Sequence, residues 1–178
     1  MNNELENKSN YDLCYIIRYT DKKNEAWEQL LKQSPSNSDL CYIIEYTDKK
    51  NEAGERLLKQ SPSNDDLLYI VKYTDKKNEA AKELRSRFGA PEIIDEHNHI
   101  KAIAEAVLSQ PGSLCMDRWH CETTHCLAGW ECVLSEEARK IETQSDTETA
   151  GCAMLPSYAH LFFSDNETVL EELKKVQP

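Results

Sequence analysis

Three consecutive stretches of this chain are one sequence written three times. Residues 9–35 read SNYDLCYIIRYTDKKNEAWEQLLKQSP, residues 36–62 read SNSDLCYIIEYTDKKNEAGERLLKQSP, and residues 63–89 read SNDDLLYIVKYTDKKNEAAKELRSRFG. The period is 27 with no insertion, and the first two copies differ at only four positions. A fixed period of this size is the signature of a solenoid. One such unit is too short to bury its own apolar stripe, so the copies must stack.

Each copy reads as two short helices. Ser9, Ser36 and Ser63 open helix A, with Asp12, Asp39 and Asp66 three residues on, close to a capping box with Asp in place of Glu. Pro35 and Pro62 stop the preceding helix. Leu13, Ile16 and Ile17 form an i, i+3, i+4 stripe that recurs in the later copies. Asp21, Asp48 and Asp75 are the expected N-caps of helix B, whose buried stripe is Ala26 and Leu30, Ala53 and Leu57, Ala80 and Leu84. Trp27 aligns with Gly54 and Ala81 and is expected to cover an open end of the stack. Cys14 and Cys41 align with Leu68 and read as small core hydrophobes. The third copy diverges through Arg85, Arg87 and Phe88, as end repeats do. The pattern resembles the short α-solenoids called HEAT-like, with a shorter repeat. That resemblance implies a scaffold presenting surface to a partner.

YTDKKNEA is identical in all three copies. Stacked, these turns form a ladder of Asp21, Lys22 and Lys23, then Asp48, Lys49 and Lys50, then Asp75, Lys76 and Lys77. The steps should lie roughly 8–10 Å apart, the usual helix packing distance. The ladder is a candidate recognition edge for a protein or peptide. Recent duplication, which copies everything, explains the same identity.

After Gly89 the repeat ends. Ile93, Ile100, Ile103 and Val107 lie at helical spacing, with Asp95 as cap and Pro111-Gly112 as stop. Thr123 or Thr124 is the expected cap of a helix carrying Leu127, Trp130 and Val133 or Leu134. Ser135 opens another, and residues 142–149 read as a polar loop. Residues 150–163 return to helix, and Ser164 with Glu167 caps the last one. No segment reads as a strand. The expected fold is all-α: a polar tail over 1–8, a short solenoid of three helix-pair repeats over 9–89, and a small helical Cys/His-containing domain over 90–178.

WHCETTHCLAGW, residues 119–130, concentrates two histidines, two cysteines and two tryptophans. With its surroundings it resembles a bacterial and phage-associated group of uncharacterised proteins bearing W-H-x-C-x-T-T-H-C-x-A-G-W. Here Trp119-His120-Cys121 lacks the residue between His and Cys. The resemblance implies a second domain over about 92–176 and no particular reaction.

Four readings of the stretch stay open. His120, Cys121, His125 and Cys126 are candidate zinc ligands, with Cys115, Cys132, Cys152, His97, His99 and His160 available for completion, although no C-x2-C spacing is present. Cys126 in a first helical turn is a candidate catalytic thiol, with His120 or His125 as base and Asp117 or Glu122 to orient it. Cys121 and Cys126 could close a disulfide loop. Plain packing is the fourth, with Ala128-Gly129 admitting a neighbouring helix. No phosphate loop, nucleophile elbow or H-E-x-x-H is present.

Charge narrows the partner. Residues 1–89 carry 16 acidic and 15 basic groups, and residues 90–178 carry 16 and 6. The second half should repel phosphate backbones, so nucleic acid is not the expected partner and a basic protein or peptide fits better. No apolar run of about 20 residues and no secretory pattern is seen, which points to the cytoplasm and away from the membrane. The leading reading is a non-enzymatic interaction module or adaptor. The alternatives are a metal- or thiol-dependent enzyme or redox protein centred on 119–130, and an acidic inhibitor mimicking nucleic acid.

Overall fold

The computed structural model describes residues 5–119 and 124–176, and among these it is all-α. None of the described helices is long and apolar enough to cross a membrane. The chain forms two compact units, residues 1–76 and 77–178.

In the first unit, α1 (Asn10–Tyr19) packs on α2 (Lys23–Lys32) and α3 (Asn37–Tyr46) on α4 (Lys50–Leu58), and α5 (Asn64–Tyr73) lies against α3. All three A helices (α1, α3, α5) open on reciprocal capping boxes, Ser9 with Asp12, Ser36 with Asp39 and Ser63 with Asp66. Such caps stabilise a helix by about 1 kcal/mol each. The capping aspartates also tie copy to copy. Asn10 Nδ2 donates to Asp39 Oδ2 at 3.0 Å, and Asn37 Nδ2 to Asp66 Oδ2 at 2.8 Å.

Asp21 and Asp48 do not cap the B helices. The cap positions are held by Lys22 and Lys49, whose side chains make no capping hydrogen bond. The preceding threonine closes the turn instead. Thr20 Oγ1 donates to the Ile16 carbonyl and accepts from the Lys22 N–H, and Thr47 and Thr74 repeat this. A hydroxyl supplies both donor and acceptor, which a carboxylate cannot.

Trp27 does not cover an open end. It is buried, and its indole N–H donates to Glu52 Oε2 of the next copy at 2.8 Å. At the same place in the second copy, a Cβ added to Gly54 would stand 2.9 Å from the Thr74 methyl, so α4 closes tightly on the end of α5. In the N-terminal tail, Leu5 is buried rather than solvated.

The second unit begins with the B helix of the third copy, α6 (Lys77–Arg87), followed by α7 (Glu96–Ser109), α8 (Leu127–Leu134), α9 (Glu136–Gln144), α10 (Thr147–Met154), a 3-10 turn (Pro156–Leu161) and α11 (Asn166–Val176). The divergence of the third copy has a physical reason. Arg85 stands where the other copies have Leu31 and Leu58, and it is buried. Its guanidinium donates to the carbonyls of Pro91, Glu92 and Ala153. That commits α6 to packing on α10 and the 3-10 turn.

Helix α10 is central, touching α6, α8 and α9. It carries Gly151, where a Cβ would meet the Ala128 methyl at 2.6 Å and the Phe162 ring at 2.9 Å. Ala128 on α8 therefore does admit a neighbouring helix. Several sequence expectations change here. Ile93 lies before α7 and is exposed, while Ile100, Ile103 and Val107 are buried. Asp95 caps α7 as expected. Residues 142–149 are helical apart from Ser145 and Asp146, because Asp146 caps α10 immediately after α9 ends. Asp165, not Ser164, caps α11 by accepting from the Thr168 N–H at 2.8 Å.

Candidate functional site

Cys126 caps α8, a position expected of Thr123 or Thr124; Thr123 lies outside the described residues. Its sulfur accepts from the Gly129 N–H at 3.2 Å, and its S–H donates to the Trp119 carbonyl at 3.1 Å. Donating requires the protonated thiol. Burial pushes its pKa up, against the smaller opposing pull of the Gly129 and Ala128 amides. The helix N-terminus that should favour a thiolate is therefore outweighed by desolvation, the usual condition of an inert cysteine. Cys126 carries a free thiol, as do Cys115, Cys132 and Cys152.

His125 is buried against Trp130, ring centroids 5.0 Å apart and nearly perpendicular. Its backbone pairs with the strand-like stretch around Leu114: its N–H donates to the Ser113 carbonyl, and its carbonyl accepts from the Cys115 N–H. Both groups thus act in pinning the loop before α8. His120 and Cys121, the other two proposed zinc ligands, lie outside the described residues. Among the described residues no three His, Cys, Asp or Glu side chains converge on one point.

A charge pair not singled out from sequence lies nearby. His99 Nδ1 is 2.7 Å from Glu131 Oε1, and Glu131 is only 1% exposed. The Glu131 bond holds the His99 pKa above its ordinary value, with Glu137 and Asp95 adding to the effect and burial opposing it. The pair links α7 to α8 across 32 residues of sequence, and no local pattern announces it.

The Asp-Lys-Lys ladder of the first unit is partly self-satisfied. Lys23 Nζ bridges to Asp48 Oδ2 of the next copy at 2.5 Å. Lys49 bonds Glu52, and the Asp75 N–H donates to Asn51 Oδ1. Asp21, Lys22 and Lys50 are exposed, Lys76 and Lys77 half-buried. One function of the ladder is therefore to tie neighbouring copies together.

The more prominent surface feature is aromatic. Each A helix carries tyrosines four residues apart: Tyr15 and Tyr19, Tyr42 and Tyr46, Tyr69 and Tyr73. Their rings pair at centroid distances of 4.7, 5.0 and 6.0 Å. Tyr15 and Tyr19 are more than half exposed, and Tyr46 and Tyr73 about 40%. The signal was present in the sequence as YIIRY, YIIEY and YIVKY, but it resembles the core stripe and was obscured by it. Between the rows sits one charged position that changes from copy to copy: Arg18, Glu45, Lys72. A cleft of about 360 Å3 runs along this face past Arg18, Glu45, Tyr46 and Tyr73.

Comparison with protein-family models, with curated proteins and with solved structures finds no match for this chain.

Proposed function

We propose that this protein is a non-enzymatic interaction module or adaptor, in which a short HEAT-like stack presents a tyrosine-rich face to another protein. The observation that carries this reading is the row of tyrosine pairs, repeated once per copy on the A helices, with at least one exposed ring in each pair. A solvated helix face ordinarily carries charged residues, and exposed tyrosine is enriched where proteins bind. Tyrosine offers a large rigid contact area with a hydrogen-bonding tip and little conformational entropy to lose. The protonated, internally bonded Cys126 argues in the same direction, since the best-placed nucleophile is engaged in holding a helix start.

The test is affinity capture from the cells that make the protein. Replacing Tyr19, Tyr46 and Tyr73 together by Ser should abolish capture, and reversing Lys22, Lys49 and Lys76 to Glu should weaken it. Cys126→Ser, which keeps a donor and an acceptor, should leave capture intact. Capture that survives the tyrosine replacement but fails with Cys126→Ser would move the function to the second unit.

A further inference from the structure

The two stacking interfaces of the first unit are built alike but differ in the charge they carry on the tyrosine face. Between α1 and α3, Arg18 lies on the tyrosine face. Its guanidinium carbon is 4.0 Å from the Tyr46 ring centroid, 4.7 Å from Tyr19 and 5.7 Å from Tyr42, and Nη1 donates to the Tyr42 hydroxyl at 3.3 Å. The protein thus fills this aromatic cage with its own cation. Twenty-seven residues on, the same surroundings recur as Tyr46, Tyr69 and Tyr73, but the corresponding residue is Glu45. This is one of only four changes between the first two copies. Glu45, Tyr46 and Tyr73 line the open cleft described above, which Arg18, Lys50 and the Lys23–Asp48 pair also border. Lys72, on the far helix, stands over two of these rings at longer range, with Nζ 5.6 Å from the Tyr69 centroid and 6.0 Å from Tyr73, against 4.0 Å for Arg18 over Tyr46.

We infer that the cluster of Tyr46, Tyr69 and Tyr73, with Glu45 bonded to Tyr46 beside it, is the docking site for an arginine side chain of a basic partner peptide. The incoming guanidinium takes the place that Arg18 occupies one repeat earlier. Three features make it complementary to a cation: electron-rich ring faces, a carboxylate where the homologous cage has its positive charge, and a cleft that leaves room to enter. The choice of arginine over lysine follows from Arg18, whose flat guanidinium both stacks on rings and bonds a tyrosine hydroxyl. The inference rests on the reading of the tyrosine face as an interaction surface and adds the chemistry of what it binds.

The experiment uses the full chain and a short peptide of alternating glycine and arginine, followed by NMR of the tyrosine rings. The expected result is saturable shifts at Tyr46, Tyr69 and Tyr73, larger than those at Tyr15. Glu45→Arg reproduces the first cage and should weaken binding at least about tenfold. Glu45→Gln, which removes only the counter-charge, should weaken it less. Arg18→Glu empties the first cage and should admit a second equivalent of peptide. Equal binding by the wild type and Glu45→Arg would overturn the proposal, as would shifts spread evenly over all six rings. A proline-rich peptide that perturbs Tyr46 and Tyr73 when the arginine peptide does not would also overturn the cage while leaving the interaction face standing. Loss of partner capture is measured separately, so failure of the cage and failure of the face are told apart.

Discussion

The two units handle polar groups differently. In the repeat unit Gln29 and Thr74 are buried, and the rest stand mostly in rows on the outside or at its rims: tyrosine pairs, the Asp-Lys-Lys turns and the asparagine-to-aspartate bonds between copies. In the single-copy unit they are drawn inward. Arg85, Glu131, His125, Ser135 and Thr149 are all buried, and the Arg85–Ala153 bond and the His99–Glu131 pair cross between segments distant in sequence. A repeat can vary its surface one copy at a time without disturbing the stack, as Arg18 and Glu45 show. A unit closed by unique buried bonds has no such freedom. The first architecture is suited to presenting a surface, the second to holding itself together.

The sharpest way to break this comparison is to enlarge a glycine in each unit. Gly151→Ala places a methyl 2.6 Å from Ala128 between two helix backbones. It should cost about 3 kcal/mol, read as a lower midpoint in denaturant. Gly54→Ala meets the Thr74 methyl at 2.9 Å, a side chain held by two hydrogen bonds, but gains helix propensity, so its net cost should be smaller, about 1 kcal/mol. Equal costs would show that the stack is as tightly determined as the second unit.

Arg85→Leu restores the residue type of the earlier copies and removes the donor from three carbonyls. We expect a loss of about 2 kcal/mol, because the buried Ala153 carbonyl is left without its partner. An unchanged melting temperature would contradict the view that Arg85 commits α6 to the second unit.

A smaller effect separates the units by pH. The folded pKa of His99 is raised above its ordinary value of 6.5. The stabilisation it contributes is therefore complete below that value and is lost as pH rises through the raised one. The second unit should become easier to unfold as pH increases past 6.5, and Glu131→Gln should flatten that dependence. A profile unaffected by Glu131→Gln would remove the pair from the account.

The smallest predicted effect is a gain. Ser34 and Ser61 end their B helices at φ 54°, a left-handed conformation unfavourable for a residue with a Cβ and more so before proline. Gly89 holds the corresponding role in the third copy at φ 64°. Ser61→Gly should therefore stabilise the repeat unit by about 1 kcal/mol, seen as a raised midpoint.

The repeat unit was largely legible in the sequence because its determinants are local and stated three times. Serine and aspartate three apart gave the caps, and the i, i+3, i+4 stripes gave the buried faces. What misled was chemistry that two residue types can supply: Thr20 and Thr47 close turns that Asp21 and Asp48 were expected to cap. The second unit was less legible because its decisive contacts are distant. Nothing near Arg85 points to the Ala153 carbonyl, and nothing near His99 points to Glu131. Cys126 looked reactive for a sound local reason, its place at a helix start. Burial, which the sequence does not state, pushes its pKa up instead.

The central claim is that partners meet the tyrosine face of the repeats. Its most direct test is site-specific photo-crosslinking, with the reactive amino acid at exposed Lys50, which borders the tyrosine cleft, in one variant and at exposed Phe163 of the second unit in another. The account predicts a discrete crosslinked partner from position 50, competed by an arginine peptide, and none from position 163. Crosslinking from position 163 with none from position 50 would contradict it.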